Sequence, residues 1–173
     1  AHQVGNAAVA VRVLECLDEA GVAVPAEAVQ EGLQRVVWPG RLDRRSLPDG
    51  RELLMDAAHN PEGAQALAAF LASEGGPPRV LVFAAMRDKD IPAMLRALTP
   101  FARAIVATRA SNDRSMDPSE LAAIAGRIDP SRPVYVGATP VEALATAWRI
   151  DPRIVVAGSI FLLGDVMKLH GWS

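Results

Sequence analysis

The stretch Leu53-Leu54-Met55-Asp56-Ala57-Ala58-His59-Asn60-Pro61-Glu62-Gly63 decides the fold. With Glu52 before it, the opening apolar run has strand character, and residues 61–73 follow with the spacing of an amphipathic helix. Asn60-Pro61 has the chemistry of a helix start, an N-cap side chain followed by proline at the first helical position. A strand passing directly into a helix is the repeating unit of a parallel sheet. The same unit recurs: residues 80–84, 104–108, 134–136 and 154–157 are strand-like, and 91–98, 118–126, 140–149 and 160–169 are helix-like. Helical crossovers of this length predict a doubly wound, mostly parallel α/β sheet with right-handed connections.

Upstream, the pattern differs. Residues 6–20 carry Val9, Val13, Cys16 and Leu17 at steps of three and four, a helical apolar face with Gly21 as its stop. That face is expected to drive aggregation or dimerisation, with Cys16 as a core residue. Pro25 opens a second short helix containing Val29 and Leu33, and Pro48-Asp49-Gly50 is a turn. A boundary near Val37 divides a helical segment, 1–36, from the α/β domain, 37–173. The chain opens on Ala1 without methionine, as a piece of a longer protein does.

Composition narrows the function. The 173 residues carry 18 Lys+Arg against 20 Asp+Glu, so the positive field of a non-specific nucleic-acid binder is missing. No apolar run approaches the ~20 residues of a membrane span, and no signal-like segment opens the chain. A single cysteine, Cys16, allows no internal disulfide and points to a reducing, cytoplasmic setting. No P-loop or dinucleotide glycine fingerprint occurs, and His2, His59 and His170 are too scattered for a zinc site. Trp38, Trp148 and Trp172 read as packing residues.

Open parallel sheets bind ligands beyond the carboxyl ends of their strands. Four segments fall there. Asp56 to Pro61 offers a carboxylate for a hydroxyl or cation and His59 for a polar substrate; the alternative is that Asn60 caps and Asp56 serves loop amides. Met86-Arg87-Asp88-Lys89-Asp90 reads as a solvated charged loop with Asp90 as a cap, while Arg109 or Arg114 offers a fork for a carboxylate. At Gly158-Ser159 the glycine lets backbone approach a ligand and the serine is a ligand hydroxyl or an N-cap.

Several of these segments, taken together, resemble a known family. His2-Gln3 with Asn6, Pro39-Gly40-Arg41, Asp56 to Gly63, Ala85-Met86-Arg87-Asp88-Lys89-Asp90-Ile91, and Gly158-Ser159 with Gly164-Asp165-Val166 are similar to folylpolyglutamate synthase/dihydrofolate synthase enzymes of the Mur ligase superfamily. The resemblance implies a C-terminal Rossmann-like domain preceded by the last helices of an ATPase domain. It implies ATP-dependent addition of L-glutamate to dihydropteroate or folates through an acyl phosphate, with the P-loop and the Mg2+ ligands in the missing N-terminal ATPase domain. By the same resemblance Asn6, Arg41 and Asp56 contact ATP, and His59 and Ser159 hold the incoming glutamate, His59 as the catalytic candidate. Arg114 as a partner for a glutamate carboxylate follows from its place after a strand instead. The chain alone is expected to ligate nothing. A peptidoglycan-type Mur ligase domain and a non-catalytic α/β binding module are the competing readings.

Overall fold

The computed structural model describes residues 2–36 and 38–172, with side chains from Gly5 onward; Val37, where the sequence boundary falls, lies outside them. The chain divides into two compact units, Ala1–Pro39 and Gly40–Ser173.

The first unit is a helix pair, α1 (His2–Glu19) and α2 (Ala26–Arg35). Helix α1 starts four residues before the expected Asn6, and Gly21 ends it with φ 88°. Between the helices Val11 and Leu14 of α1 face Val29 and Leu33 of α2 across a shallow groove. The face carrying Val9, Val13 and Leu17 is exposed, and so is Cys16, which corrects its reading as core. The physical reason is that α1 has a single helical neighbour in this unit and meets it with the adjoining stripe of Val11 and Leu14.

The second unit contains β1 (Asp43–Ser46), β2 (Glu52–Asp56), α3 (Pro61–Glu74), β3 (Arg79–Phe83), α4 (Ile91–Leu98), β4 (Ala102–Ala107), α5 (Pro118–Ile128), β5 (Val134–Val136), α6 (Pro140–Ile150), β6 (Arg153–Ala157) and α7 (Ile160–Leu169). The strands lie in the order β1-β2-β6-β3-β4-β5, all parallel except β1, which pairs antiparallel with β2 through the Pro48–Gly50 turn. The doubly wound, mostly parallel expectation therefore holds, with one hairpin added at the edge.

Each inner strand is apolar on both sides because both faces are covered. Leu54, Leu81, Phe83 and Ile105 pack under α3, α4 and α5, while Met55, Val82, Val106 and Val156 pack under α6 and α7. Helices start where side chains can cap them: Asn60 accepts from Gly63 N–H, Asp90 from Ala93 N–H, Asp117 from Ser119 N–H and Thr139 from Glu142 N–H, each followed by proline at the first or second helical position. Trp148 and Trp172 pack against the second core, but Trp38 is 70% exposed, so its packing reading is corrected. No helix of the described residues is long and apolar enough to cross a membrane.

Candidate functional site

Four connections meet at the carboxyl end of the sheet. Asp56 pairs with Ala157, so the β2–α3 loop lies beside the β6–α7 turn. On the other side of β6, the β3–α4 loop is zipped to the β4–α5 loop: Arg87 N–H donates to the Arg114 carbonyl and Met116 N–H to the Ala85 carbonyl, both at 2.9 Å, and Met86 bridges Ser115. These ties bring His59, Lys89, Arg114 and Ser159 to one concave site of about 240 Å³, floored by Gly158 and walled by Met86 and Phe161.

The connection leaving β6 goes to one face of the sheet and that leaving β3 to the other, which makes this crevice a chain reversal of the kind where such folds bind ligands. His59 Nδ1 lies 2.8 Å from the Ala57 carbonyl. A carbonyl only accepts, so Nδ1 carries the hydrogen and Nε2 is left to face a ligand. Ser159 is wholly buried and caps α7, its Oγ accepting from Phe161 N–H at 3.2 Å and Leu162 N–H at 3.5 Å. Its hydroxyl hydrogen stays available to a ligand oxygen. Both sequence readings of Ser159, cap and hydroxyl donor, are compatible with this geometry.

Lys89 and Arg114 share Asp88, at 3.1 Å and 3.8 Å. The hydrogen bond from Lys89, with lesser help from Arg114, holds the Asp88 carboxyl below the usual carboxylate range. The cavity rim therefore keeps a net positive pair-plus-one arrangement at neutral pH. The sequence reads Lys89 as part of a solvated loop; its place in the cavity follows from loop pairing that leaves no local signature. Asp90 caps α4 as expected.

Gly158 serves packing more than ligand approach. At φ 102° a Cβ there would come 2.3 Å from the Ala84 carbonyl oxygen and 2.5 Å from the Phe83 ring.

Arg41 and Asp56 form a second cluster one strand away. Asp56 is 4% exposed and accepts the Leu42 N–H at 2.9 Å; Ala57 N–H donates to the Gly40 carbonyl at 2.8 Å, and Gly40 N–H donates to Asp43 Oδ2 at 3.1 Å. The 40–43 turn is thus pinned on both sides, and half-buried Arg41 has no hydrogen-bond or ion-pair partner among the described residues. An arginine so held suits a phosphate or carboxylate. Asn6 lies exposed on α1, in the other unit. No group of three His, Cys, Asp or Glu among the described residues could hold a metal ion.

A doubly wound domain with a cationic, histidine-bearing cavity at its central reversal defines the class, and comparison supplies the family. The chain belongs to the Mur ligase, glutamate ligase domain family, whose model matches residues 40–160. It is 39% identical over 191 aligned residues to the dihydrofolate synthase/folylpolyglutamate synthase of Mycobacterium tuberculosis, and 29% identical to that of Bacillus subtilis. These alignments take in 98% and 96% of the chain but 38% and 39% of the relatives, so the chain spans about two fifths of their length. Among solved structures it resembles the M. tuberculosis folylpolyglutamate synthase complexed with ADP and AMPPCP, at TM-score 0.78 and 35% identity over 91% of this chain and 38% of that one. The folylpolyglutamate synthase of Thermotoga maritima matches at TM-score 0.71 and 30% identity, covering 97% of this chain and 38% of that one.

Proposed function

We propose that this chain is the C-terminal part of an ATP-dependent amide ligase that joins L-glutamate to dihydropteroate or to folates. Residues 1–36 are read as the tail of an N-terminal ATPase domain and 37–173 as the glutamate-ligase domain. The observation that carries the proposal is the convergence of His59, Ser159, Lys89 and Arg114 on one cavity, with Arg41, unpaired among the described residues, on the pinned 40–43 turn. ATP, when bound, supplies the phosphoryl group that activates the folate carboxylate toward the glutamate amine.

The chain's own residues divide the remaining work. Arg41 holds phosphate oxygens; Asn6 keeps its assignment as a nucleotide contact from its motif alone. Asp56 accepts the Leu42 N–H and so fixes the turn that presents Arg41, and it is assigned to the nucleotide by its motif. Arg114 and Lys89 take the glutamate carboxylates. Ser159 donates its hydroxyl to one of those oxygens. His59 Nε2 faces the amine and orients it, or accepts its proton, during attack. The Mg2+ ligands are assigned to the N-terminal domain, as the family resemblance implies. The lone thiol Cys16 fits a cytoplasmic setting.

The purified chain, given ATP, Mg2+, dihydropteroate and L-glutamate, is expected to show no turnover. Joined to an N-terminal ATPase domain it is expected to use pteroates or folates and to reject a nucleotide-linked peptide. Turnover by the isolated chain, or preference for the nucleotide-peptide acceptor, contradicts the reading.

A further inference from the structure

The strand order creates three reversals at the carboxyl end of the sheet. Two flank β6, between β2 and β6 and between β6 and β3, at the cavity described above. The third lies between β4 and β5, where the chain leaves β4 for α5 on the first face and leaves β5 for α6 on the second. Crevices at such reversals are the natural ligand sites of open α/β sheets. A concave region of about 400 Å³ opens there, between Arg109 and Ser111 after β4, Val141 at the start of α6, and Asp165, Lys168 and Leu169 of α7.

We propose that this second crevice binds a small anion, a carboxylate or a phosphate, carried on a compact apolar body. The proposal is independent of the ligase reading. Its volume falls within the roughly 300–1,000 Å³ of small-molecule sites, and of the charged groups lining it the carboxylate is held by hydrogen bonds whereas the two cations are not. Asp165 is fully engaged with Ser111, accepting its N–H at 2.8 Å and its hydroxyl as well. Glu142 accepts the Ala138 N–H at 3.0 Å, while Thr139 Oγ1 accepts the Glu142 N–H at 3.3 Å, a reciprocal cap that satisfies the start of α6. Arg109 and Lys168 are exposed and have no hydrogen-bond or ion-pair partner among the described residues. Lys89 and Arg114 at the first crevice, by contrast, share Asp88.

The rest of the wall is apolar. Val141 and Leu169 are each about half exposed, at 55% and 49%, and with Ala110 and Pro140 they would cover the body of a ligand whose charged end meets the two cations. The walls are also fixed in place. The Ser111–Asp165 pairing ties the β4–α5 loop to α7, and a Cβ on Gly137 would lie 2.7 Å from the Ala143 backbone, so the β5–α6 loop sits hard against its helix. A preorganised wall lowers the ordering cost of binding.

Amide NMR titration of the chain with benzoate, with phenyl phosphate and with neutral benzamide tests this. One or both anions are expected to shift the amides of Ala110, Ser111, Val141 and Leu169 saturably, and whichever binds tells carboxylate from phosphate. In Arg109→Gln/Lys168→Gln, two exposed positions whose change leaves the amide fingerprint otherwise intact, affinity is expected to fall about tenfold or more. No saturable shift with either anion, equal binding of benzamide, or unchanged affinity in the double variant would overturn the assignment.

Discussion

The backbone N–H of Leu42 donates to Oδ2 of Asp56 at 2.9 Å, and Leu42 is the non-glycine residue with positive φ, 48°, among those described. A leucine in the left-handed region is held there against its preference, and such strain persists where surrounding contacts over-determine it. Here the contacts are the Asp56 carboxylate and the Ala57 N–H on the Gly40 carbonyl. The residue between these two anchors is Arg41.

Asp56 is therefore expected to matter through Leu42. Asp56→Ala leaves the Leu42 N–H without its acceptor and should cost about 1–3 kcal/mol, whereas Asp56→Asn keeps a side-chain oxygen and should lose much less. Urea unfolding of the two variants checks this, and equal losses would show that the negative charge matters more than the acceptor.

Gly158 admits no side chain. Gly158→Ala drives its methyl into the Ala84 carbonyl and the Phe83 ring and places alanine at φ 102°. A loss of stability of about 2 kcal/mol or more is expected by urea unfolding, from overpacking and backbone strain together. A variant as stable as the parent would mean that the β6–α7 turn is less tightly seated on β3 than the contacts indicate.

Ser159→Ala removes the cap of α7 and is expected to cost about 1 kcal/mol. Ser159→Asn at this wholly buried position preserves a capping oxygen but adds bulk, so only a small loss in the alanine variant, measured by thermal or chemical unfolding, would argue against the capping role.

His170 stacks on Trp172 at 4.5 Å and meets Trp148 edge-on at 5.9 Å, with Arg45 over Trp172 and Arg51 over Trp148 from the β1–β2 hairpin. Burial, and secondarily the charge of Arg51, lower its pKa below the usual imidazole value. The unfolded chain thus binds the proton at higher pH than the folded one, so this contribution to stability is full above about pH 6.5 and is lost as pH falls through the lowered folded pKa. His170→Phe should flatten the decline in unfolding midpoint between about pH 7 and pH 5 relative to the parent. An unchanged pH profile would contradict it.

The sequence made the parallel units legible because each inner strand is a continuous apolar run and each helix opens with a capping side chain before proline. It hid β1, whose residues Asp43-Arg44-Arg45-Ser46 carry no apolar alternation. That strand is an edge defined by its hydrogen bonds to β2, with Asp43 and Arg45 paired along it, and charged edges of this kind leave no burial signal. In α1 two apolar stripes compete, and nothing local tells which one meets α2. The nearness of His59 and Ser159 follows from strand ends alone, since they come after β2 and β6, neighbours in the sheet, whereas Arg114 reaches them through the loop that follows β4. Lys89 joins them only through the pairing of two loops, and the Leu42 turn depends on a bond from a residue fourteen positions away.

The most direct measurement joins this chain to the N-terminal part of the M. tuberculosis relative, in place of that protein's own C-terminal part, and follows phosphate release from ATP with and without L-glutamate. The expected result is release that requires both dihydropteroate or a folate and glutamate, is abolished by Arg41→Ala and His59→Ala, and is largely retained in Asp56→Asn. A folded chimera that releases no phosphate on glutamate addition, while the parent enzyme does so under the same conditions, would contradict the account.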